Sequence, residues 1–269
     1  MRGSRALLNK TESCEASRLG NHRGAMTTNV LDLGAGILAT DSRWSQQLGR
    51  WLVYVEDTGF HKIEVGNGVA FMFAGKGHRI QAWKTWIKAG GIEADLPAFD
   101  GLCVCAVEMN TGDVKICENL PIVRDDSAFG GSGSRFAFPC WSTNKNAIRA
   151  VETARNFDPA TGGITFYFDY HSGKNNLSQP LFNERTLAEV DKAILSRGIV
   201  MDIHTLNPAS PPFKLSELAA SNDEVRELQT QIASGNLSAD APSAGMHNTW
   251  TEDQKSRVRA SLKNIFGWK

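Results

Sequence analysis

From Met26 onward, short apolar runs alternate with glycine-containing turns, and this alternation restricts the chain to a core built mainly of β-sheet. Gly34-Ala35-Gly36 predicts a turn, and Gly66-Asn67-Gly68 and Asn110-Thr111-Gly112-Asp113 are typical of β-hairpins. The pattern predicts strands over residues 28–33, 37–40, 49–55, 60–65, 69–73, 102–108, 113–118 and 164–170.

Other segments carry apolar residues at helical spacing. They predict helices over residues 78–89, 144–156, 186–196, 214–233 and 251–266, the last with Thr251 as its N-cap. A proline-rich break (206–212) and a Gly/Ser/Ala/Pro-rich linker (234–248) interrupt the later helices. We therefore divide the chain into a leader (1–26), a core (27–172) and a helical extension with Pro/Ser-rich linkers (173–269).

Charge and cysteine content exclude several classes of protein. Among 269 residues, Lys+Arg and Asp+Glu are both 29, a balance that favours neither nucleic acid nor an anionic membrane as partner. No apolar run approaches the ~18 residues needed to span a bilayer. The five cysteines lack paired CxxC spacing, which predicts packing roles in a reducing cytoplasm and no metal site. They are Cys14, Cys103, Cys105, Cys117 and Cys140. No cofactor is expected.

Met26-Thr27-Thr28 has the form of a start codon placed inside the sequence. Removal of Met26 would leave Thr27 with a free α-amine beside its own hydroxyl. An α-amine titrates near ~8, so it can take the hydroxyl proton at neutral pH, and one residue then supplies both nucleophile and base. The alternative interpretation of Thr27-Thr28 is the start of a β-branched strand.

The leader, residues 1–25, lacks an apolar h-region and is not a secretory signal. Its basic, serine-containing character leaves an organelle-targeting role open, although Glu12 and Glu15 count against one. It is upstream sequence read from too early a start, an expression scar or a propeptide, and in each case we expect disorder.

Six short motifs follow one another in a familiar order. They are Thr27-Thr28, Asp41-Ser42-Arg43, Lys62-Ile63, Ala74-Gly75, Gly131-Ser132-Gly133, and Asp158 with Thr161-Gly162. Together they resemble the N-terminal-nucleophile (Ntn) hydrolases of the proteasome β-subunit and HslV peptidase type, over about residues 27–170. Threonine replaces the family's serine at Thr161.

The resemblance implies a four-layer αββα sandwich, here with a reduced helical layer because residues 78–102 have room for one helix only. It implies Thr27 as nucleophile, Lys62 held charged by Asp41, and the Gly75 amide as the donor to the oxyanion. It further implies that three residues orient the amino terminus: Ser132, Asp158 and Thr161. A homo-oligomer is expected from the same resemblance.

The residues around these motifs predict an aromatic specificity pocket. Trp44 follows the Asp-Ser-Arg motif, where the family carries a small residue, and Phe60 and Phe73 occupy pocket-lining positions. With Ser45 they form the predicted substrate pocket, partly filled by Trp44.

The sequence therefore predicts a threonine-type hydrolase that cleaves amide bonds, most simply in a peptide or protein substrate, through Thr27. Three alternatives remain open. The chain is a catalytically silent proteasome-like subunit, a non-proteolytic Ntn amidase, or an interaction protein that binds a partner protein through its C-terminal helices, such as an adaptor or inhibitor of another protease.

Overall fold

The computed structural model describes residues 27–204 and 212–269. The predictions made for residues 1–26, and for most of the proline-rich break, lie outside the described residues.

In the described part of the chain, six strands precede the first helix, and strands and helices are mixed after it. The strands are β1 (Asn29–Asp32), β2 (Ile37–Asp41), β3 (Trp44–Leu48), β4 (Trp51–Val55), β5 (Ile63–Gly66), β6 (Val69–Gly75), β7 (Leu102–Glu108), β8 (Val114–Glu118), β9 (Ile122–Arg124), β10 (Ser127–Gly130), β11 (Thr165–Asp169), β12 (Ile199–Asp202) and β13 (Phe213–Lys214). The helices are α1 (Gly77–Lys88), α2 (Ser134–Asn144), α3 (Ala147–Arg155), α4 (Leu187–Arg197), α5 (Leu215–Ala219), α6 (Asp223–Ala233) and α7 (Glu252–Phe266).

The strands form three antiparallel sheets within residues 27–204 and 212–269. The first has the order β11-β2-β1-β10-β9, the second β13-β12-β4-β3, and the third β5-β6-β7-β8. The predicted four-layer αββα Ntn-hydrolase sandwich is therefore wrong. Its two sheets become three because β4 pairs with β3 on one side and with β12 on the other, and β12 comes from the segment predicted to be a helical extension.

Side chains on β1 alternate between two apolar clusters, as a strand with both faces covered requires. Leu31 lies in a cluster with Met72 of β6 and Cys105 of β7, so the first and third sheets share a core. Val30 lies in a second cluster with Trp141 of α2, which covers the opposite face of the first sheet. Both residues are at most 1% exposed.

The largest core cluster joins the third sheet to residues beyond 173. Phe73 of β6 and Trp83 of α1 belong to the same cluster as Val190, Leu228 and Leu262 of α4, α6 and α7. Trp250 is buried beside Phe99, with ring centroids 5.3 Å apart, and its indole nitrogen donates to the Leu102 carbonyl at 3.1 Å. Helices α4, α6 and α7 therefore share one apolar core with strand β6, which carries Gly75.

A local signal correctly predicted the start of the last helix. α7 begins after Thr251, whose hydroxyl accepts from the Gln254 amide while the Gln254 side chain accepts from the Thr251 amide, a complete capping box. Glu189 and Thr186 form the same arrangement at the start of α4. None of the helices within the two described ranges is long and apolar enough to cross a membrane.

Candidate functional site

The centre of the candidate site is the carboxylate of Asp41, the last residue of β2. Its Oδ1 accepts three donors: the Thr27 hydroxyl, the Thr28 amide at 2.8 Å and the Lys62 ammonium at 3.1 Å. The pairing of β1 with β2 brings these residues together, since the Asp41 amide donates to the Thr28 carbonyl at 3.2 Å. The structure thus brings together three of the residues predicted from the sequence, Thr27, Asp41 and Lys62.

The second carboxylate oxygen fixes the orientation of Asp41. Oδ2 accepts from the Arg43 amide at 3.0 Å and from the Gly162 amide at 3.4 Å. Asp41 is 2% exposed, and five donors satisfy a buried carboxylate that would otherwise be strongly disfavoured.

Lys62 lies just before β5 and is 1% exposed. Its Nζ donates to the carbonyl oxygens of Asp41 and Arg43, both at 2.8 Å, in addition to the ion pair with the Asp41 carboxylate. Burial lowers the pKa of Lys62, and the negative charge of Asp41 opposes that change. The Lys62 side chain is therefore held at a fixed position, and it loses its proton more readily than an exposed lysine does.

The glycine-rich loop between β10 and α2 packs directly on the two threonines. Gly133 donates its amide to the Thr27 carbonyl at 3.3 Å. Gly131 has φ of +80°, and a Cβ atom there would lie 1.8 Å from the Thr27 carbonyl oxygen. A Cβ atom on Gly133 would lie 1.7 Å from the Thr28 hydroxyl oxygen. Only glycine permits this approach, which gives the Gly-Ser-Gly motif a steric reason.

Asp158 organises a second group of hydroxyls. Its Oδ2 accepts from Ser132 at 2.7 Å and from Thr161 at 2.6 Å, and the Thr161 hydroxyl is 2.7 Å from the Thr28 hydroxyl. Burial raises the pKa of Asp158, while the hydrogen bonds from Thr161 and Ser132 counteract it. The hydroxyl of Thr28 thus belongs to this group, whereas that of Thr27 points to Asp41.

Gly75 ends β6 with φ of +121°, and a Cβ atom there would lie 2.1 Å from the Gly101 carbonyl oxygen. Its amide donates to the Ala241 carbonyl at 2.5 Å, and its carbonyl accepts from the Ala241 amide at 2.9 Å. The next residue, Pro242, accepts from the Thr27 nitrogen at 2.8 Å. Gly75 and Thr27 therefore contact adjacent residues of one short segment.

Searches against protein-family models and against curated proteins gave no match. Membership of the proteasome-like family therefore stays a prediction that depends on the six motifs. The contacts around Asp41, Gly75 and Asp158 are independent of that assignment, and they determine what chemistry this arrangement of side chains can support.

The predicted aromatic pocket residues lie in the hydrophobic core. Trp44 and Phe60 are both 1% exposed and stack with centroids 4.7 Å apart, and the Trp44 indole donates to the Phe60 carbonyl at 2.8 Å. Phe73 is fully buried and stacks on Phe71. Ser45 alone of the four contacts the segment near Gly75, through its backbone. All three aromatic side chains belong to the largest apolar cluster, together with Trp83 of α1.

Sequence reasoning missed two contributors to the site. Arg43 links the end of β2 to the turn at Asp158, because its guanidinium pairs with Glu56, donates to the Pro159 carbonyl and lies 3.8 Å from the centre of the Tyr54 ring. Its place in the Asp-Ser-Arg motif was the available signal. The segment around Ala241 carried none, since its composition is that of a linker. Within the two described ranges, no group of three His, Cys, Asp or Glu side chains could hold a metal ion.

Proposed function

We propose that this chain is a threonine-type N-terminal nucleophile hydrolase that cleaves amide bonds, most simply peptide bonds, through Thr27. The observation that carries the proposal is the convergence of the Thr27 hydroxyl, the Thr28 amide and the Lys62 ammonium on Oδ1 of Asp41. Lysines in surface ion pairs are exposed to solvent, whereas Lys62 is buried and has three oxygen partners. This difference argues against a purely structural surface ion pair.

In the first step, Thr27 Oγ1 attacks the substrate carbonyl carbon and its proton passes to the α-amine of the same residue. This requires the bond between Met26 and Thr27 to be broken first, because an amide nitrogen cannot accept that proton. The Gly133 amide and the tight approach of Gly131 hold the Thr27 carbonyl and hence the position of the amino terminus.

The new oxyanion needs a donor, and the Gly75 amide is the group we assign. It already binds a peptide carbonyl oxygen at 2.5 Å, the contact an oxyanion would make. Loss of one such donor costs ~3–4 kcal/mol in the transition state. Lys62 supplies a fixed positive charge that favours deprotonation of Thr27. Collapse of the intermediate gives an ester on Thr27, and the amine product leaves with the proton from the α-ammonium.

Water then attacks the ester carbonyl carbon while the α-amine takes a proton from it. The bond from that carbon to Thr27 Oγ1 breaks, the carboxylic acid product leaves, and the α-ammonium returns the proton to Oγ1. Ser132, Asp158 and Thr161 position the loop and Thr28 during both steps. We further propose a peptide or protein substrate, a homo-oligomeric assembly and a cytoplasmic location, where the free Cys103, Cys105, Cys117 and Cys140 would stay reduced.

The test compares a chain translated from Met26 with one translated from Met1. Methionine is removed when the next side chain is small, so the first should begin at Thr27 and hydrolyse peptide amides. The second should be silent unless it cleaves itself before Thr27. Intact mass and turnover are measured on both, with Thr27→Ala as the inactive control. An uncut Met1 chain with the activity of the Met26 chain would disprove the mechanism.

A silent subunit remains the second candidate function because one specific contact favours it. The Gly75 amide, which the hydrolase would need for an oxyanion, is already bonded to Ala241 of the same chain. Turnover by the Met26 chain decides between the two.

A further inference from the structure

Residues 238–243, which we call the strap, run between β3 and β6, strands that belong to different sheets. The strap forms an antiparallel bridge with each: Asp240 pairs with Ser45, and Ala241 pairs with Gly75. It thus lies as an extended peptide in the groove that separates these two strands.

Backbone hydrogen bonds hold the strap on both sides. The Ser45 amide donates to Asp240 at 3.0 Å and the Asp240 amide donates back at 2.8 Å. Gly75 and Ala241 exchange the same two bonds, at 2.5 and 2.9 Å. In a peptide bound in this way the main-chain hydrogen bonds supply affinity, and the pockets for its side chains supply specificity.

Side chains fix the strap at its amino-terminal end. Asp191 on α4 accepts from the Ala239 amide at 2.7 Å and from the Ser238 hydroxyl at 2.9 Å. Oδ1 of Asp240 accepts from the amide of Gly77, the first residue of α1, at 2.8 Å. These contacts fix the register, so that Ala241 and no other residue faces Gly75.

The groove accepts only small side chains at its deepest positions. Ala239 and Ala241 are fully buried, and a Cβ atom on Gly77 would lie 2.0 Å from the Ala239 carbonyl oxygen. Beyond Ala241, Pro242 accepts from the Thr27 nitrogen, and the Ser243 hydroxyl is 3.2 Å from Cys103 Sγ. The strap therefore passes from the Gly75 amide directly over the predicted nucleophile.

We propose that the strap is a tethered peptide that blocks the site, and that the site takes an extended peptide with a small residue at the Ala241 position once the strap is displaced. This inference rests on the proposed hydrolase function, whose nucleophile and oxyanion donor are the two groups the strap covers. An attached segment competes at high effective concentration, so free peptides bind weakly until the strap is loosened.

A reversible disulfide tests the proposal. Ser45 and Asp240 form a hydrogen-bonded antiparallel pair, for which the Cα separation is about 5.5 Å, within the range for a disulfide. The double variant Ser45→Cys, Asp240→Cys is oxidised to fix the strap and then reduced to release it. Because one protein is compared in two redox states, a folding defect cannot imitate the effect. Ser45→Cys alone, treated with the same oxidant, controls for the native cysteines.

The probe is a fluorescein-labelled peptide with the sequence of residues 237–243, and its binding to the full-length protein is followed by fluorescence anisotropy. Binding should be absent in the oxidised double variant and present after reduction. Equal binding in both states, or none after reduction, would overturn the proposal.

A matched pair of strap variants gives the second measurement. Ala241→Pro removes the amide that donates to Gly75, whereas Ala241→Gly keeps it. Loss of that hydrogen bond should tighten peptide binding about tenfold in the proline variant, with little change in the glycine variant. Equal affinities in two folded variants would contradict a competing strap.

Turnover separates this inference from the proposed function. The substrate is acetyl-Ser-Ala-Asp-Ala-aminomethylcoumarin, and the chain is the one translated from Met26. If the peptide binds in the reduced state and is not cleaved, the strap is confirmed as a competitor and the hydrolase function is refuted. If the substrate is cleaved at equal rates in the oxidised and reduced states, the hydrolase function is supported and the blocking role of the strap is refuted.

Discussion

Replacement of Asp240 by Asn should change how the stability of this protein depends on pH. Burial raises the pKa of the Asp240 carboxyl from 3.8 to about 6, against the opposing hydrogen bond from Gly77 and the charge of Lys76. Asp191, the other charged group facing it, raises that pKa further. A folded-state pKa above the unfolded value means that the folded protein binds more protons between about pH 4 and pH 6.

Stability therefore falls as pH rises through that window. The gap between the two pKa values corresponds to a loss of at most about 3 kcal/mol in the free energy of unfolding. This loss is absent below pH 4 and complete above pH 6. Asn keeps an oxygen that accepts from Gly77 and cannot ionise. The stability of Asp240→Asn relative to the parent should thus increase by up to about 3 kcal/mol from pH 4 to pH 7.

Urea unfolding at pH steps between 4 and 8 measures this difference, since stability follows from the midpoint and the slope. Burial also raises the pKa of Asp158, a group that titrates in parent and variant alike. Burial raises the pKa of Asp191 as well, and because the charge of Asp191 acts on Asp240, its share is measured separately. Asp191→Asn serves as the matched control. Parallel pH curves for the parent and Asp240→Asn would refute the reasoning, because they would show that the carboxyl ionises freely in the folded state.

Three further predictions concern the site. Lys62→Met should lower turnover by at least ~100-fold, because it removes a positive charge beside Thr27 and keeps the buried chain length. It should also lower the stability of the protein, since the buried Asp41 loses its charged partner, so turnover is compared at a temperature where circular dichroism shows both proteins folded; a variant with full activity would remove Lys62 from the mechanism. Thr28→Val should cost about 1 kcal/mol in urea unfolding through loss of the hydrogen bond to Thr161, yet retain turnover, and an inactive, folded Thr28→Val would instead make Thr28 the nucleophile. Gly131→Ala should destabilise the protein by more than ~3 kcal/mol, since its positive φ and the Thr27 carbonyl both oppose a methyl group. Ala at the exposed Gly173, which shares the positive φ but has no atom within 4 Å of the added Cβ, should cost only ~1–2 kcal/mol; equal melting temperatures would contradict the steric argument.

Local pattern predicted the strands whose partners are close in sequence. β5 and β6 flank the predicted Gly66-Asn67-Gly68 hairpin, and β7 and β8 flank the second one. β12 was missed, and so was its pairing with β4, because no local signal links residues 52 and 201. Without that pairing, two sheets appeared sufficient, and the sandwich prediction followed from the resemblance alone.

Helix α2 shows a different failure. It begins directly after the glycine-rich loop and contains Pro139, two features that argue against a helix. Pro139 lies inside the helix, where it removes one backbone hydrogen bond, but the apolar face of the helix, with Ala137 and Trp141, packs on the first sheet. Packing against the sheet thus outweighs local propensity here.

Motif order pointed to charged and glycine residues that the fold brings together around Asp41 and Thr27, and their catalytic roles stay a prediction. It failed for Trp44, Phe60 and Phe73, since an aromatic residue serves a pocket wall and a core equally well and only the packing distinguishes them. The strap was unpredictable for a related reason: its binding uses main-chain groups, which every sequence possesses.

The position of Trp250 has a consequence for synthesis on the ribosome. The core around Phe99 and Leu102 is completed by this side chain and by α7, and Trp250 follows Leu102 by 148 residues in the chain. A nascent chain that has just finished β8 exposes the apolar face that these residues later cover. Such long-range closure slows folding and leaves apolar surface open to association in the meantime. A premature stop before Trp250 would therefore yield an aggregation-prone product with its amino-terminal motifs complete.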